Sequence, residues 1–172
     1  RLADESPDGL IFTERLGRAE DGGYYNFRKI DISAWTPPLD ELAAEAKERG
    51  IPTLGIGDGG NEVGMGNFHE ELKRLLPAYA SCLCTVRTDY ALAVDVSNWG
   101  AYALTAALSF MWGNWRGPEA GEELAMLKAV KERGAVDGIS RLPELTVDGF
   151  DIATQDKIIS SLNELWELYR FA

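Results

Sequence analysis

Twelve residues constrain this chain more than any others: Gly55-Ile56-Gly57-Asp58-Gly59-Gly60-Asn61-Glu62-Val63-Gly64-Met65-Gly66. Six of the 18 glycines fall in this run, directly after the apolar stretch from Ile51 to Ile56, which reads as a short buried strand. Glycine there permits positive φ and lets a ligand approach backbone N–H groups that side chains would otherwise shield. The run therefore predicts a strand that opens into a backbone-lined loop carrying two acidic side chains.

Gly55, Gly57 and Gly60 match G-x-G-x-x-G, the dinucleotide fingerprint. That fingerprint needs a stable helix whose N-terminus meets pyrophosphate, and Gly64 and Gly66 work against such a helix. Asp58 and Glu62 would also place two negative charges beside the pyrophosphate. No acidic residue stands near twenty positions on, where a ribose partner is expected; Asp89 lies further away. The same two carboxylates suit a divalent cation. They are four residues apart, one helical turn, so both can face one cleft with the amide of Asn61 beside them. Oxygen ligands favour Mg²⁺, Mn²⁺ or Ca²⁺ over zinc. A purely structural reading also fits: Asp58 caps the next helix and Glu62 favours its positive end. Spacing leaves both readings open.

Composition narrows the partners. With 28 acidic against 17 basic side chains, a net charge of −11 and a pI near 4.6, the chain would repel a phosphate backbone or an anionic membrane surface. Neither nucleic acid nor membrane is expected, whereas a small molecule or a homo-oligomeric partner is compatible. The single histidine, His69, excludes a His-rich metal site. Cys82 and Cys84 provide neither a disulfide framework nor a four-cysteine zinc site, and read as small buried hydrophobes in a reduced compartment. The chain opens Arg1-Leu2-Ala3-Asp4-Glu5 without a signal-peptide pattern, as a fragment would. Cytoplasm is the default location.

Strands alternating with helices predict α/β layers, a sheet with flanking helices, in one domain of 172 residues. Leu10-Ile11-Phe12 is a strand signal, followed by a polar loop. Thr36 and Pro37 then read as a cap and first helical residue, with Leu39, Leu42, Ala43 and Ala46 forming one apolar stripe and Gly50 and Pro52 ending it. A helix is expected from Asn67 to Leu76, and strands over Ser81–Arg87 and Ala91–Val96 as a hairpin or bent pair. Ser97 to Trp115 contains no charge, but Asn98, Thr105, Ser109, Asn114 and two glycines interrupt it. A soluble helix buried on nearly all sides is therefore expected, rather than a membrane span. Helices over Gly121–Arg133 and Thr154–Phe171 complete the chain, the last with Ile158, Leu162, Leu165, Trp166 and Tyr169 on its apolar face. Asp137-Gly138 and Asp148-Gly149 read as turns.

Two polar clusters accompany the glycine loop. Glu14-Arg15-Leu16-Gly17-Arg18 and Tyr25-Asn26-Phe27-Arg28 place arginines near a carboxylate, and guanidinium groups can grip a substrate carboxylate through paired hydrogen bonds. Surface ion pairs would use the same residues. Ser97-Asn98-Trp99-Gly100 begins the uncharged helix, where free N–H groups favour an anion or Ser97 acts as an ordinary cap.

Together these elements resemble the D-glutamate cyclase family. The resemblance rests on the glycine loop over residues 55–66, on Glu14-Arg15-x-Gly17-Arg18 with Tyr25-Asn26 and Asp31-Ile32, and on Ser97-Asn98-Trp99-Gly100 with Tyr102-Ala103-Leu104. Val136-Asp137-Gly138 and Val147-Asp148-Gly149 resemble its tail. Leu16, Phe27 and Lys29 depart from the family pattern, and the chain resembles only the C-terminal portion of the domain, without the family's N-terminal α/β segment. The resemblance implies a lyase that converts D-glutamate to 5-oxo-D-proline with loss of water. It implies Mg²⁺ or Mn²⁺ on Asp58 and Glu62, proton transfer by these carboxylates and Glu14, and substrate contacts from Arg15, Arg18, Asn26, Asn61, Ser97 and Asn98. Relatives in eukaryotes are mitochondrial. The alternative is a non-catalytic domain that binds a small metabolite or a metal.

Overall fold

The computed structural model describes residues 2–171 and confirms an α/β architecture. Its contacts group into two compact units, Arg1–Gly100 and Ala101–Ala172.

The first unit begins with a short helix α1 (Leu2–Glu5), then strand β1 (Leu10–Thr13), helix α2 (Glu41–Glu48), strand β2 (Thr53–Gly57), helix α3 (His69–Leu75) and strand β3 (Tyr90–Ala93). The strands form one parallel sheet in the order β1-β2-β3, with Phe12 opposite Gly55 and Ala91 on the far side. On one face Phe12, Ala43 of α2 and Val63 make a buried cluster flanked by Leu10, Leu42 and Val86. Removing a side chain the size of Phe12 from water contributes about 1.5–3 kcal/mol. Ile56 points to the opposite face and is fully buried against Gly100. Gly100 lies in the first turn of helix α4 (Ser97–Trp112). The sheet thus packs α2 on one face and the Ser97–Gly100 turn on the other, and β2 in its centre delivers the glycine loop.

Several expected boundaries move. Thr36 does not cap α2; its hydroxyl donates to the Ile32 carbonyl at the end of a 3₁₀ turn, and α2 begins four residues after Pro37. Asp40 occupies the capping position, but its carboxylate turns inward to Arg18 and Tyr24. Ser81–Arg87 is not a strand. A 3₁₀ segment over Pro77–Cys82 leads into irregular chain, and β3 pairs in parallel with β2, so no hairpin forms. Cys82 and Cys84 are nonetheless free and buried, and burial pushes the Cys84 thiol up to about 12. The loop is followed by a 3₁₀ turn over Met65–Phe68, so α3 starts only at His69. The glycine loop therefore does not run directly into a helix N-terminus, as the dinucleotide fingerprint requires. His69 places its ring nitrogens 2.9 Å from the Cys84 carbonyl oxygen and 3.1 Å from Glu20.

In the second unit, the rest of α4 is followed by α5 (Glu122–Lys131), the two-residue strands β4 (Thr146–Val147) and β5 (Phe150–Asp151), and α6 (Ile152–Tyr169). The expectation that the uncharged helix is buried nearly all round fails at its end: Ala106 and Ser109 are buried, while Met111 is 80% exposed. Absence of charge does not impose burial, because apolar atoms normally form much of a protein surface. The buried residues of α6 are Gln155, Ile159 and Trp166; of the expected stripe Trp166 is buried, Ile158 and Leu162 are half-buried, and Leu165 and Tyr169 are exposed. Among the described residues, no helix is long and apolar enough to cross a membrane.

Candidate active site

At the end of β1 the chain turns beside the glycine loop. Glu14 N–H donates to the Ile56 carbonyl at 3.2 Å, Val63 N–H to the Arg15 carbonyl at 2.7 Å, and Gly17 N–H to the Asn61 carbonyl at 3.0 Å. This antiparallel contact, with Leu16 bridged to Glu62, sets Glu14 beside a loop more than forty residues away in sequence. Glu14 itself adopts a left-handed backbone, φ +52°. One carboxylate oxygen from each of Glu14, Asp58 and Glu62 lies within 4.8 Å of the other two.

Each carboxylate is held differently. Glu62 is 3% exposed and receives the N–H groups of Gly59 at 2.9 Å and Gly60 at 2.8 Å, one on each oxygen. Burial raises its pKa, and the neighbouring Asp58 charge adds to the rise, against the opposing effect of those N–H groups. Asp58, exposed at the loop tip, accepts the backbone N–H of Ser97 at 2.8 Å. Glu14, also exposed, accepts the Ser97 hydroxyl at 3.0 Å. The loop's glycines make this packing possible. A Cβ on Gly57 would lie 2.6 Å from Glu62 Oε2, and Gly60 takes φ +87° to aim its N–H at the same carboxylate.

The other expected site residues divide. Asn61 is buried and donates to the Tyr25 carbonyl at 2.7 Å, tying the loop to the preceding segment. Asn26 accepts from the N–H groups of Arg28 and Ile30 and closes a local turn. Arg18 is committed to Asp40 at 2.7 Å and Glu41 at 3.1 Å, so these carboxylates take up the grip expected for a substrate. Arg15 donates to the Pro37 carbonyl and keeps a buried Nε–H without a partner. Ser97 is 1% exposed with both polar groups bound to the carboxylates, so it stands behind the cluster rather than facing a ligand. Asn98 is half-buried, next along α4.

Sequence reasoning missed Asp40. Burial opposes its charge, but Arg18 and the Tyr24 hydroxyl together bring its pKa below the ordinary aspartate value. Asp40 falls inside the helix expected from Pro37 and off its apolar stripe, which is why this buttress was not legible.

Three oxygen donors, one from just after β1 and two from the glycine loop, one of them deeply buried, form a donor set of the kind hard divalent cations take. An α/β unit presenting such carboxylates on a glycine loop defines the class. The chain belongs to the D-glutamate cyclase-like family, matching its C-terminal domain over residues 2–163. It is 45% identical over 106 residues to human mitochondrial D-glutamate cyclase, an alignment covering 61% of this chain and 17% of that protein.

Proposed function

We propose that the chain takes part in the cyclisation of D-glutamate to 5-oxo-D-proline with loss of water, assisted by Mg²⁺ or Mn²⁺ on Asp58 and Glu62. The convergence of Glu14, Asp58 and Glu62 carries this reading, and the family membership supports its substrate. The reaction joins the amino nitrogen to the γ-carboxyl carbon and breaks one C–O bond. Two of the ammonium's three protons leave with that oxygen as water, and the third stays on the lactam nitrogen. A bound divalent cation supplies charge neutralisation at the carboxylate oxygens.

The chain's own residues perform the rest. Glu14 is the exposed carboxylate suited to take a proton from the ammonium and return it to the departing oxygen. Glu62, fixed by two N–H donors, keeps a constant position beneath the reacting groups. Arg15, whose guanidinium contacts the Pro37 carbonyl, is the arginine proposed for the α-carboxylate.

The test incubates the chain with D- or L-glutamate and Mn²⁺ or Mg²⁺ and assays 5-oxoproline. D-selective product is expected, and its loss together with metal binding in Asp58→Asn/Glu62→Gln. Retention of both by the double variant would sink the assignment. The aligned stretch is only 17% of the human relative, which favours a second reading, a non-catalytic metabolite- or metal-binding domain. That reading predicts saturable binding of D-glutamate or Mn²⁺ without product.

A further inference from the structure

We infer that Ser97 is a positioning residue that sets the Glu14 carboxylate beside the cation ligand Asp58 and so tunes the cation site. The inference rests on the reading of the cluster as a cation site. Glu14 follows β1 and Asp58 follows β2, so neither loop alone dictates their spacing. Their negative charges repel. Ser97 counters this by donating to each. Its backbone N–H binds Asp58 Oδ2 at 2.8 Å and its hydroxyl binds Glu14 Oε1 at 3.0 Å. One residue therefore reaches both carboxylates with donors about a bond length or two from the same Cα.

Ser97 is itself fixed. It is the first residue of the sixteen-residue helix α4, where backbone N–H groups have no partner inside the helix and point outward. Three residues later, Gly100 seats this helix on Ile56: a Cβ at Gly100 would lie 2.5 Å from Ile56 Cγ2. Ile56 belongs to β2, whose end carries Asp58. The helix start, the strand and the two carboxylates thus form one closed circuit. Groups that orient metal ligands from behind typically affect metal affinity by about 10–100-fold. Loss of the hydroxyl removes this donor from Glu14 and leaves the N–H on Asp58.

Mn²⁺ affinity of the 172-residue chain, read by electron paramagnetic resonance of the free ion, tests this without reference to turnover. Ser97→Ala is expected to weaken Mn²⁺ about tenfold, the low end of that range. Ser97→Thr, which keeps the hydroxyl, stays within about twofold of the parent. In a Glu14→Gln background, Ser97→Ala adds less than about twofold, because the partner it orients is gone. Circular dichroism of each variant reports the fold. Parent-like affinity in Ser97→Ala, or an equal loss in both backgrounds, overturns the inference while leaving the cation site in place. Mn²⁺ binding with this coupling but no cyclase activity overturns the proposed reaction and leaves the role of Ser97 standing. A parent chain that binds no Mn²⁺ overturns both.

Discussion

Glu62 and Asp137 are both buried carboxylates held by turns rich in glycine and backbone N–H groups, yet they end in opposite electrostatic states. Asp137, 5% exposed, accepts from the N–H groups of Ile139, Ser140 and Gly149 and from the Thr146 hydroxyl, all between 2.8 and 3.0 Å. Burial opposes its charge, but these four donors win and hold its pKa at about 2. Glu62 has two donors and two acidic neighbours, and its pKa rises. The difference is one of completion. Asp137 is saturated by its own loop and staples the β4–β5 turn. Glu62 retains accepting capacity and shares its surroundings with like charge, which suits it to a cation or a proton.

The largest test of the contrast is Asp137→Ala, which removes the buried acceptor shared by four donors on the β4–β5 turn and the segment before it. It is expected to cost about 3 kcal/mol in urea unfolding. The pH dependence follows from the lowered pKa. The stabilisation from the Asp137 charge is complete above the unfolded value near 3.8 and is lost as pH falls towards about 2. Its full size is about 2 kcal/mol. A substitution costing less than about 1 kcal/mol would mean that Asp137 is no more essential to its loop than an exposed turn residue.

Gly57→Ala comes next. The added methyl would lie 2.6 Å from Glu62 Oε2 and 2.8 Å from Glu62 Cβ, so strand and carboxylate must part. Unfolding should show a loss of about 2 kcal/mol, together with weaker Mn²⁺ binding. A stable variant with parent affinity would break the link between loop packing and cluster geometry. The smallest effect has the opposite sign. Glu62→Gln removes a buried charge and should raise stability at neutral pH by about 1 kcal/mol. In the parent, stability should decline as pH rises above Glu62's ordinary value of 4.5 through its raised folded value. Glu62→Gln should lack that decline, and melting temperatures across pH 4 to 8 will show whether the two curves converge at the acid end.

Much of the fold was legible because its signals were local. The β1 and β2 runs, Gly50 after α2 and Gly134 after α5 all act within a turn or two of where they stand. The pairing of β3 was not legible, because Ala91–Val96 carries no mark of direction and proximity to Ser81–Arg87 imitates a hairpin. At the site, Asp58 and Glu62 could be read together from one loop. Glu14 joined them through family resemblance rather than spacing, since its approach depends on residues 15–17 lying against 61–63. Ser97 was legible as a helix start, but which carboxylates its donors face is a property of the folded chain alone.

The backbone of Glu14 has a consequence of its own. A non-glycine residue at φ +52° carries a conformational penalty of about 1–3 kcal/mol that glycine would largely avoid. A laboratory lineage selected only for surviving heat would therefore find position 14 an easy improvement and discard the one cluster carboxylate contributed by β1. Retaining a strained acidic residue there opposes thermal robustness to chemistry, and a screen that rewards Mn²⁺ retention alongside heat resistance would preserve what heat selection erodes.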